Sequence, residues 1–272
     1  MTDRYAVIGN PIGHSQSPRI HAEFAQQAGQ AMTYEALLAP LGGFALAVDA
    51  FRAERGCGMN VTVPFKLDAH QYATDLTERA KLAQAVNTLK FDGVRVLGDN
   101  TDGAGLVTDI MRNLGFSLAG KDVLVMGAGG AARGVLLPLL ACKPQSLTIA
   151  NRTPQKAADL ARLFAAHGRV SASDYDSLAG DRYDLIVNAT SSSLNDELPP
   201  LPPRLFAPGA LAYDMMYGKG LTPFLAFAEA NHAHVLADGL GMLVEQAAES
   251  FYVWRGVRPE TPAVIDRLRK IR

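Results

Sequence analysis

Asp122-Val123-Leu124-Val125-Met126-Gly127-Ala128-Gly129-Gly130-Ala131-Ala132-Arg133 is the stretch whose reading decides the fold of this chain. Its first five residues are apolar after Asp122, the pattern of a buried parallel strand, and the next seven open a helix. Between them stands G-x-G-x-x-A. Gly127 permits the tight turn, Gly129 lets a backbone approach a pyrophosphate, and Ala132 lets helix and sheet pack closely. The helix N-terminus adds amide donors and the positive end of a dipole. The glycines alone would suit any strand-turn-helix, but with a strand before and another after they form a dinucleotide-binding fingerprint.

The following strand, Leu147 to Ala150, ends at Asn151-Arg152-Thr153, twenty-odd residues beyond Gly127. An NAD site carries an acid there to accept from the ribose 2′-hydroxyl; here stand Arg152, Thr153 and, one helical turn on, Lys156, which suit a 2′-phosphate. The cofactor expected is therefore NADP. A solvent-facing loop for Arg152 and a solvated helix face for Lys156 are the plainer alternatives.

Outward from this unit, short apolar runs alternate with helical patterns: Tyr5 to Ile8, Thr33 to Leu37, Met59 to Val63, Leu185 to Asn188 and Leu211 to Tyr213. Strands spaced by helices imply βαβ units and a largely parallel sheet. Asp92-Gly93 joins Thr88–Phe91 to Val94–Leu97 as a hairpin, which is expected to mark the edge of a first sheet. A helix from Thr101 to Leu114 carries the crossover to a second domain. Two last helices, Leu240 to Arg255 and Pro262 to Ile271, have no strand after them and are expected to return to the first domain. The fold class is α/β, with an N-terminal domain built on a mainly parallel sheet and a Rossmann-type NADP domain.

The chain has 272 residues, 48% of them hydrophobic and 19% charged, with a net charge of −1. That composition excludes disorder and supplies no basic field for nucleic acid or a membrane surface. Cys57 and Cys142 are too few for a disulfide framework, and Met1 to Arg4 does not begin a signal peptide, so a reducing cytoplasm is expected. The six histidines form no H-E-x-x-H or Cys/His group, and no metal is expected. No P-loop and no Gly-x-Ser-x-Gly is present.

In the first domain, Asn60-Val61-Thr62-Val63-Pro64-Phe65-Lys66 sets polar side chains at the end of an apolar strand, where open α/β sheets bind ligands. Asp99-Asn100-Thr101-Asp102-Gly103 follows another strand. Either could be an ordinary turn, but together they offer Lys66 and Asp102 at strand ends facing one cleft, as proton transfer in a carbonyl–alcohol interconversion needs. His14-Ser15-Gln16-Ser17-Pro18 reads as a small-anion cradle at a helix start or as a simple Ser17 cap. Gln246 lies in an apolar stripe four residues after Met242; a ligand hydroxyl or a buried structural bond would satisfy its amide.

Taken in order, Gly9-Asn10-Pro11 with His14 to Ser17, Asn60 to Lys66, Ala85-Val86-Asn87-Thr88, Gly98 to Gly103, the Gly127 loop, Asn151-Arg152-Thr153, Asn188-Ala189-Thr190-Ser191 and Asp238-Gly239-Leu240 with Gln246 resemble the shikimate dehydrogenase family nearly end to end. The resemblance implies NADPH-dependent, reversible reduction of 3-dehydroshikimate to shikimate in aromatic amino-acid biosynthesis. It implies Lys66 and Asp102 as the catalytic pair, and Ser15, Ser17, Thr62, Asn87, Asp102, Tyr217 and Gln246 around shikimate. Gly127, Ala128, Gly129, Gly130, Ala131, Asn151, Arg152, Thr153, Lys156, Met215 and Gly239 would line NADP, with Glu78 added to that set. Residues 1–101 and 239–272 would be the substrate domain and 102–238 the NADP domain, in a monomer or homodimer. Lys156 stands where relatives often carry Arg; it keeps the charge and loses the planar fork. A quinate/shikimate enzyme using NAD and an NADP-sensing protein without turnover are the competing readings.

Overall fold

The computed structural model describes residues 2–190 and 197–271. By its internal contacts the chain divides into two compact units, Met1–Gly105 with Leu243–Arg267 and Leu106–Met242 with Leu268–Arg272. Each division falls inside a helix.

The first unit runs β1 (Asp3–Gly9), α1 (Ser17–Gln27), β2 (Met32–Leu38), α2 (Phe44–Ala53), β3 (Gly56–Val61), α3 (Lys66–Tyr72), β4 (Asp75–Leu76), α4 (Glu78–Ala83), β5 (Thr88–Asp92) and β6 (Arg95–Asp99). Its sheet has the order β2-β1-β3-β5-β6-β4. β1, β2 and β3 are parallel, and β5 is antiparallel to both β3 and β6. The reversal matters for the site. Asn60 pairs with Thr88, so Asn87, just before β5, lies beside the carboxyl end of β3. The expected hairpin is present, but it is not the sheet edge. The two-residue β4 pairs outside β6, too short to leave an apolar signature in the sequence.

The second unit begins within α5 (Asp102–Thr108), which continues as a π-helical turn over Asp109–Asn113 rather than as the uniform helix expected to Leu114. It holds β7 (Asp122–Met126), α6 (Gly130–Ala141), β8 (Ser146–Ala150), α7 (Pro154–Phe164), β9 (Val170–Ser173), β10 (Tyr183–Asn188), β11 (Phe206–Asp214), α8 (Pro223–Ala230) and β12 (Val235–Asp238). All its strand pairs are parallel, in the order β12-β11-β10-β7-β8-β9. This is the doubly wound order, with β7 central and the switch point between β7 and β10. Val123 to Met126 are fully buried because helices cover both faces. Ser191 lies outside the described residues.

α9 (Leu240–Arg255) starts in the second unit and runs into the first, where α10 (Pro262–Ile271) begins before passing to the second unit from Leu268. Met242 N–H donates to the Tyr213 hydroxyl (3.3 Å), which donates to buried Asp109 (2.7 Å), fixing the start of α9 within the second unit. At its far end Trp254 Nε1 donates to the Leu89 carbonyl (2.9 Å) across Gly58, where any side chain would collide with the indole. Among the described residues no helix is long and apolar enough to cross a membrane.

Candidate active site

Parallel β1 and β3 end side by side, and the loops leaving them are tied: Thr62 N–H donates to Ile8 O (3.0 Å) and Asn10 N–H to Val63 O (3.0 Å). Gly9 is needed there because a Cβ would meet the Thr62 methyl at 2.5 Å. Ser15 precedes α1, and Ser17 is its first residue. The residue capping α1 is Gln16, without a side-chain bond, so the reading of Ser17 as a cap is wrong. Pro18 sets the first turn, and the Ser15 hydroxyl instead accepts from Ser17 N–H (3.3 Å).

Lys66 begins α3, and its carbonyl accepts from Val86 N–H (2.9 Å), which pins the lysine beside Asn87. Its ammonium donates to Asp102 Oδ2 (2.7 Å). The lysine side chain is 31% exposed and the aspartate 11%, so the pair is shielded but reachable. Asp102 Oδ1 accepts from Asn87 Nδ2 (2.8 Å), and that amide also donates to Gln246 Oε1 (3.2 Å). Gln246 Nε2 donates one of its two hydrogens to Leu243 O (2.9 Å). Asn87 Oδ1 accepts from Thr101 N–H (2.9 Å) and from the Thr88 hydroxyl (2.9 Å).

Below that layer lies a polar core not singled out in the sequence. Asn60 Nδ2 donates to Ser250 Oγ (2.9 Å) and Asn87 O (3.2 Å), while Asn60 Oδ1 accepts from the Tyr34 hydroxyl (2.7 Å) and His21 Nε2 (3.1 Å). Burial lowers the His21 pKa to about 3, with the Asn60 bond opposing it weakly. Its Nδ1 is buried without a hydrogen-bond partner among the described residues. Burial also raises the Tyr34 hydroxyl far above its ordinary range. Asparagine in an apolar strand and serine on the buried side of α9 were the available signals.

The second unit presents a different surface. Gly127 has φ +106° and packs on Ala189 at the β7–β10 switch point, its N–H donating to Ala150 O (2.8 Å). Gly129 caps α6 without any side chain, and a Cβ at Gly129 or Gly130 would meet nothing within 4 Å among the described residues. With Ala128 and exposed Ala131 they leave the first amides of α6 open to a phosphate. Asn151 Nδ2 donates to Thr153 O (3.0 Å), shaping the turn in which Arg152 is exposed, with Lys156 exposed on the first turn of α7. Burial pushes the Tyr175 hydroxyl up to about 12, against the opposing charge of Arg152. Met215 and buried Gly239 lie against each other, leaving no room for a side chain at 239. These features fit a dinucleotide: open amides for its pyrophosphate and cations at the end of β8.

The expected residues thus fall into groups. Ser15, Ser17 and Thr62 lie at the ends of β1 and β3, while Lys66, Asn87, Asp102 and Gln246 form one bonded set in the first unit. Exposed Glu78 opens α4 in that unit. Tyr217, 39% exposed, belongs to the second.

Three family models match: a shikimate dehydrogenase substrate binding domain over residues 7–89, shikimate/quinate 5-dehydrogenase over 109–195, and a shikimate 5'-dehydrogenase C-terminal domain over 239–269. A shikimate dehydrogenase (NADP(+)) of Nitrosospira multiformis is 63% identical over 99% of this chain and 98% of its own. The crystal structure of an Ael1 enzyme from Pseudomonas putida is 52% identical, with TM-score 0.94 and 98% of each chain covered. Shikimate 5-dehydrogenase from Thermus thermophilus, in complex with NADP(H) and shikimate, is 32% identical, with TM-score 0.87 and 99% of each chain covered. With identity of this extent over the full length of its relatives, the chain belongs to the shikimate dehydrogenase family.

Proposed function

We propose that the protein interconverts 3-dehydroshikimate and shikimate with NADP(H), with Lys66 as proton donor and acceptor and Asp102 holding it. The observation that carries this reading is the 2.7 Å Lys66–Asp102 pair, itself anchored through Asn87 to Gln246. When bound, the nicotinamide would supply the hydride. The ammonium of Lys66 spends one of its three hydrogens on Asp102 and keeps two for ligand oxygens, so it can protonate the alkoxide that develops from a ketone. In the reverse direction neutral Lys66 takes the proton back. Asp102, held on both oxygens, fixes the direction in which the lysine points.

Ser15 and Ser17 offer hydroxyls to the carboxylate of the acid, and Thr62, Asn87, Tyr217 and Gln246 offer polar atoms to its ring hydroxyls. Glu78 is added to the residues of the dinucleotide. Gly127 to Ala131 receive the pyrophosphate, Asn151, Arg152, Thr153 and Lys156 the 2′-phosphate end, and Met215 and Gly239 the remaining length. Two unpaired thiols, Cys57 and Cys142, suit a reducing cytoplasm.

Absorbance of reduced nicotinamide, followed with shikimate or quinate against NADP or NAD, tests the whole reading. Shikimate with NADP is expected to exceed either exchange by at least about tenfold in kcat/KM, because the extra hydroxyl of quinate costs about 1–3 kcal/mol when buried unpaired. Comparable rates with quinate and NAD would replace the reading with a quinate/shikimate enzyme, and no turnover with any pair would leave a sensor.

A further inference from the structure

Asp99 closes β6 three residues before Asp102, and its carboxylate is a hub. Oδ1 accepts from the Thr77 hydroxyl (2.6 Å), from Arg79 Nε (2.7 Å) and from Asn100 N–H (2.7 Å), and Oδ2 accepts from Arg79 Nη2 (2.6 Å). Arg79 therefore grips Asp99 with both arms of its fork, the strongest form of this bond. The same guanidinium donates to Glu249 Oε1 (3.0 Å) on α9, three residues from Gln246 and next to Ser250. Glu249 is held from its other side by Arg258, which also reaches Glu245. Arg79, Asp99, Glu249, Glu245 and Arg258 all lie in the first unit.

Exposed ion pairs contribute little, but the Asp99 side chain is 3% exposed. Its bonds also lead onward. Asn100, fixed by Asp99 through its N–H, sends its side-chain amide to Ala85 O (3.1 Å), and its Oδ1 accepts from Asp102 N–H (3.2 Å). Arg79, Asp99, Asn100, Asp102 and Lys66 thus form one continuous chain of contacts. Arg79 Nη2, which also binds Asp99, holds the helix that brings Gln246 to Asn87. Burial pushes the Asp99 carboxyl up, but Arg79 outweighs it and keeps the group below the usual carboxylate range. The charged groups facing Asp99 are Arg79 on α4 and, through it, Glu249 on α9 with Arg258 behind.

We propose that Arg79 is a positioning residue for proton transfer, clamping the Asp99–Asp102 turn to helix α9 so that Asp102 meets Lys66 and Asn87 in a single geometry. The inference rests on reading Lys66 and Asp102 as the proton-transfer pair. Arg79 touches neither reacting atom nor acid; it acts through Asp99.

The test compares Arg79→Met, Arg79→Lys, Arg79→Met/Asp99→Asn and Lys66→Met in the full chain, with NADP Kd by fluorescence titration and the thermal midpoint as checks of folding. Arg79→Met is expected to lower kcat about 10- to 100-fold with NADP Kd unchanged, the scale of a misplacement of about 1 Å. It should also give kcat an acidic limb that the parent lacks, because Asp99 remains buried without its cation. Arg79→Lys should recover part of kcat and abolish the limb, and Asp99→Asn should abolish the limb in the Met background. A clamp that served only the fold would change the active fraction in step with the thermal midpoint at each pH and leave kcat per folded enzyme at the parental value. Parental kcat and pH profile in Arg79→Met overturn the inference; where that variant fails to fold, parental kcat in Arg79→Lys overturns it instead. Lys66→Met separates the two readings: if it turns over like the parent the reading underneath falls, and if it is inactive beside an unaffected Arg79→Met only the role of Arg79 falls.

Discussion

The two units hold their candidate sites by opposite means. In the first, Lys66, Asp102, Asn87, Thr101 and Gln246 are bonded to one another, and beneath them Asn60, Thr88 and Ser250 are bonded again. In the second, Gly129 and Gly130 meet no side chain among the described residues, and the donors are main-chain amides at the start of α6. Geometry in the first is set by side chains before any ligand arrives, which is the condition for a chemical step. Geometry in the second is set by backbone, which suits grip on a phosphate whose position need only be approximate. Single substitutions should therefore act on rate in the first unit and on affinity in the second.

The largest test of that division is Lys66→Met, which keeps the apolar stem and removes the proton. Turnover should fall by about 10²–10⁴-fold, with the NADP Kd from fluorescence titration unchanged. An equal loss in cofactor affinity would erase the distinction between the units. Next comes Arg152→Ala. A charge-assisted bond contributes roughly 1.5–3 kcal/mol, so kcat/KM for NADP should drop about ten- to a hundredfold while NAD is nearly unaffected. Equal losses with both would make Arg152 a support of its turn, and a drop in kcat at saturating cofactor would give the second unit a share in the rate.

The smallest effect concerns pH. The unfolded chain protonates His21 near its ordinary 6.5, whereas the folded chain resists until about 3. Across that interval the unfolded state binds the extra proton, so stability falls as pH falls, by about 1.4 kcal/mol per unit. Asp99 acts lower: its folded pKa lies below 3.8, so its contribution is intact above that value and is lost only as pH drops through the folded value. Trp254, the single tryptophan, packs against His21 with ring centroids 5.2 Å apart and reports this unit by fluorescence. The urea midpoint read from Trp254 should be lower at pH 5 than at pH 7. An unchanged midpoint would mean that His21 is not held neutral by the polar core.

Legibility in the sequence follows the same line between the units. The β7–Gly127–α6 run is local, and local order is what periodicity and glycine placement encode, so the cofactor side could be read almost residue by residue. β9 could not: Val170-Ser171-Ala172-Ser173 is a short edge strand with no buried stripe. The Lys66–Asp102 pair was legible because each residue ends a strand motif. The places of Arg79, Thr88 and Ser250 were not, since their bonds join distant segments: Arg79 to Glu249, 170 positions apart, Thr88 to Ser250, 162, and Asn60 to Ser250, 190. No spacing rule spans that distance. The alternative reading of Ser17 as a cap fails for a local reason: Ser before Pro is a common cap, whereas here the cap position falls one residue earlier, at Gln16, with no side-chain cap bond.

The return of α9 to the first sheet has a consequence for the order of events during synthesis. Residues 106–242 are contiguous, and their sheet can close once that span has left the ribosome. The first unit cannot finish so early, because Trp254 seals β5 and Arg255 reaches back to Asp3, Tyr5 and Gln30. Contacts of such long sequence separation form late, after the cost of closing the loop has been met. A ribosome-bound chain stalled near residue 240 should then resist protease in its central part while its N-terminal hundred residues remain cleavable, and the last stretch of translation would complete both ends of the molecule together.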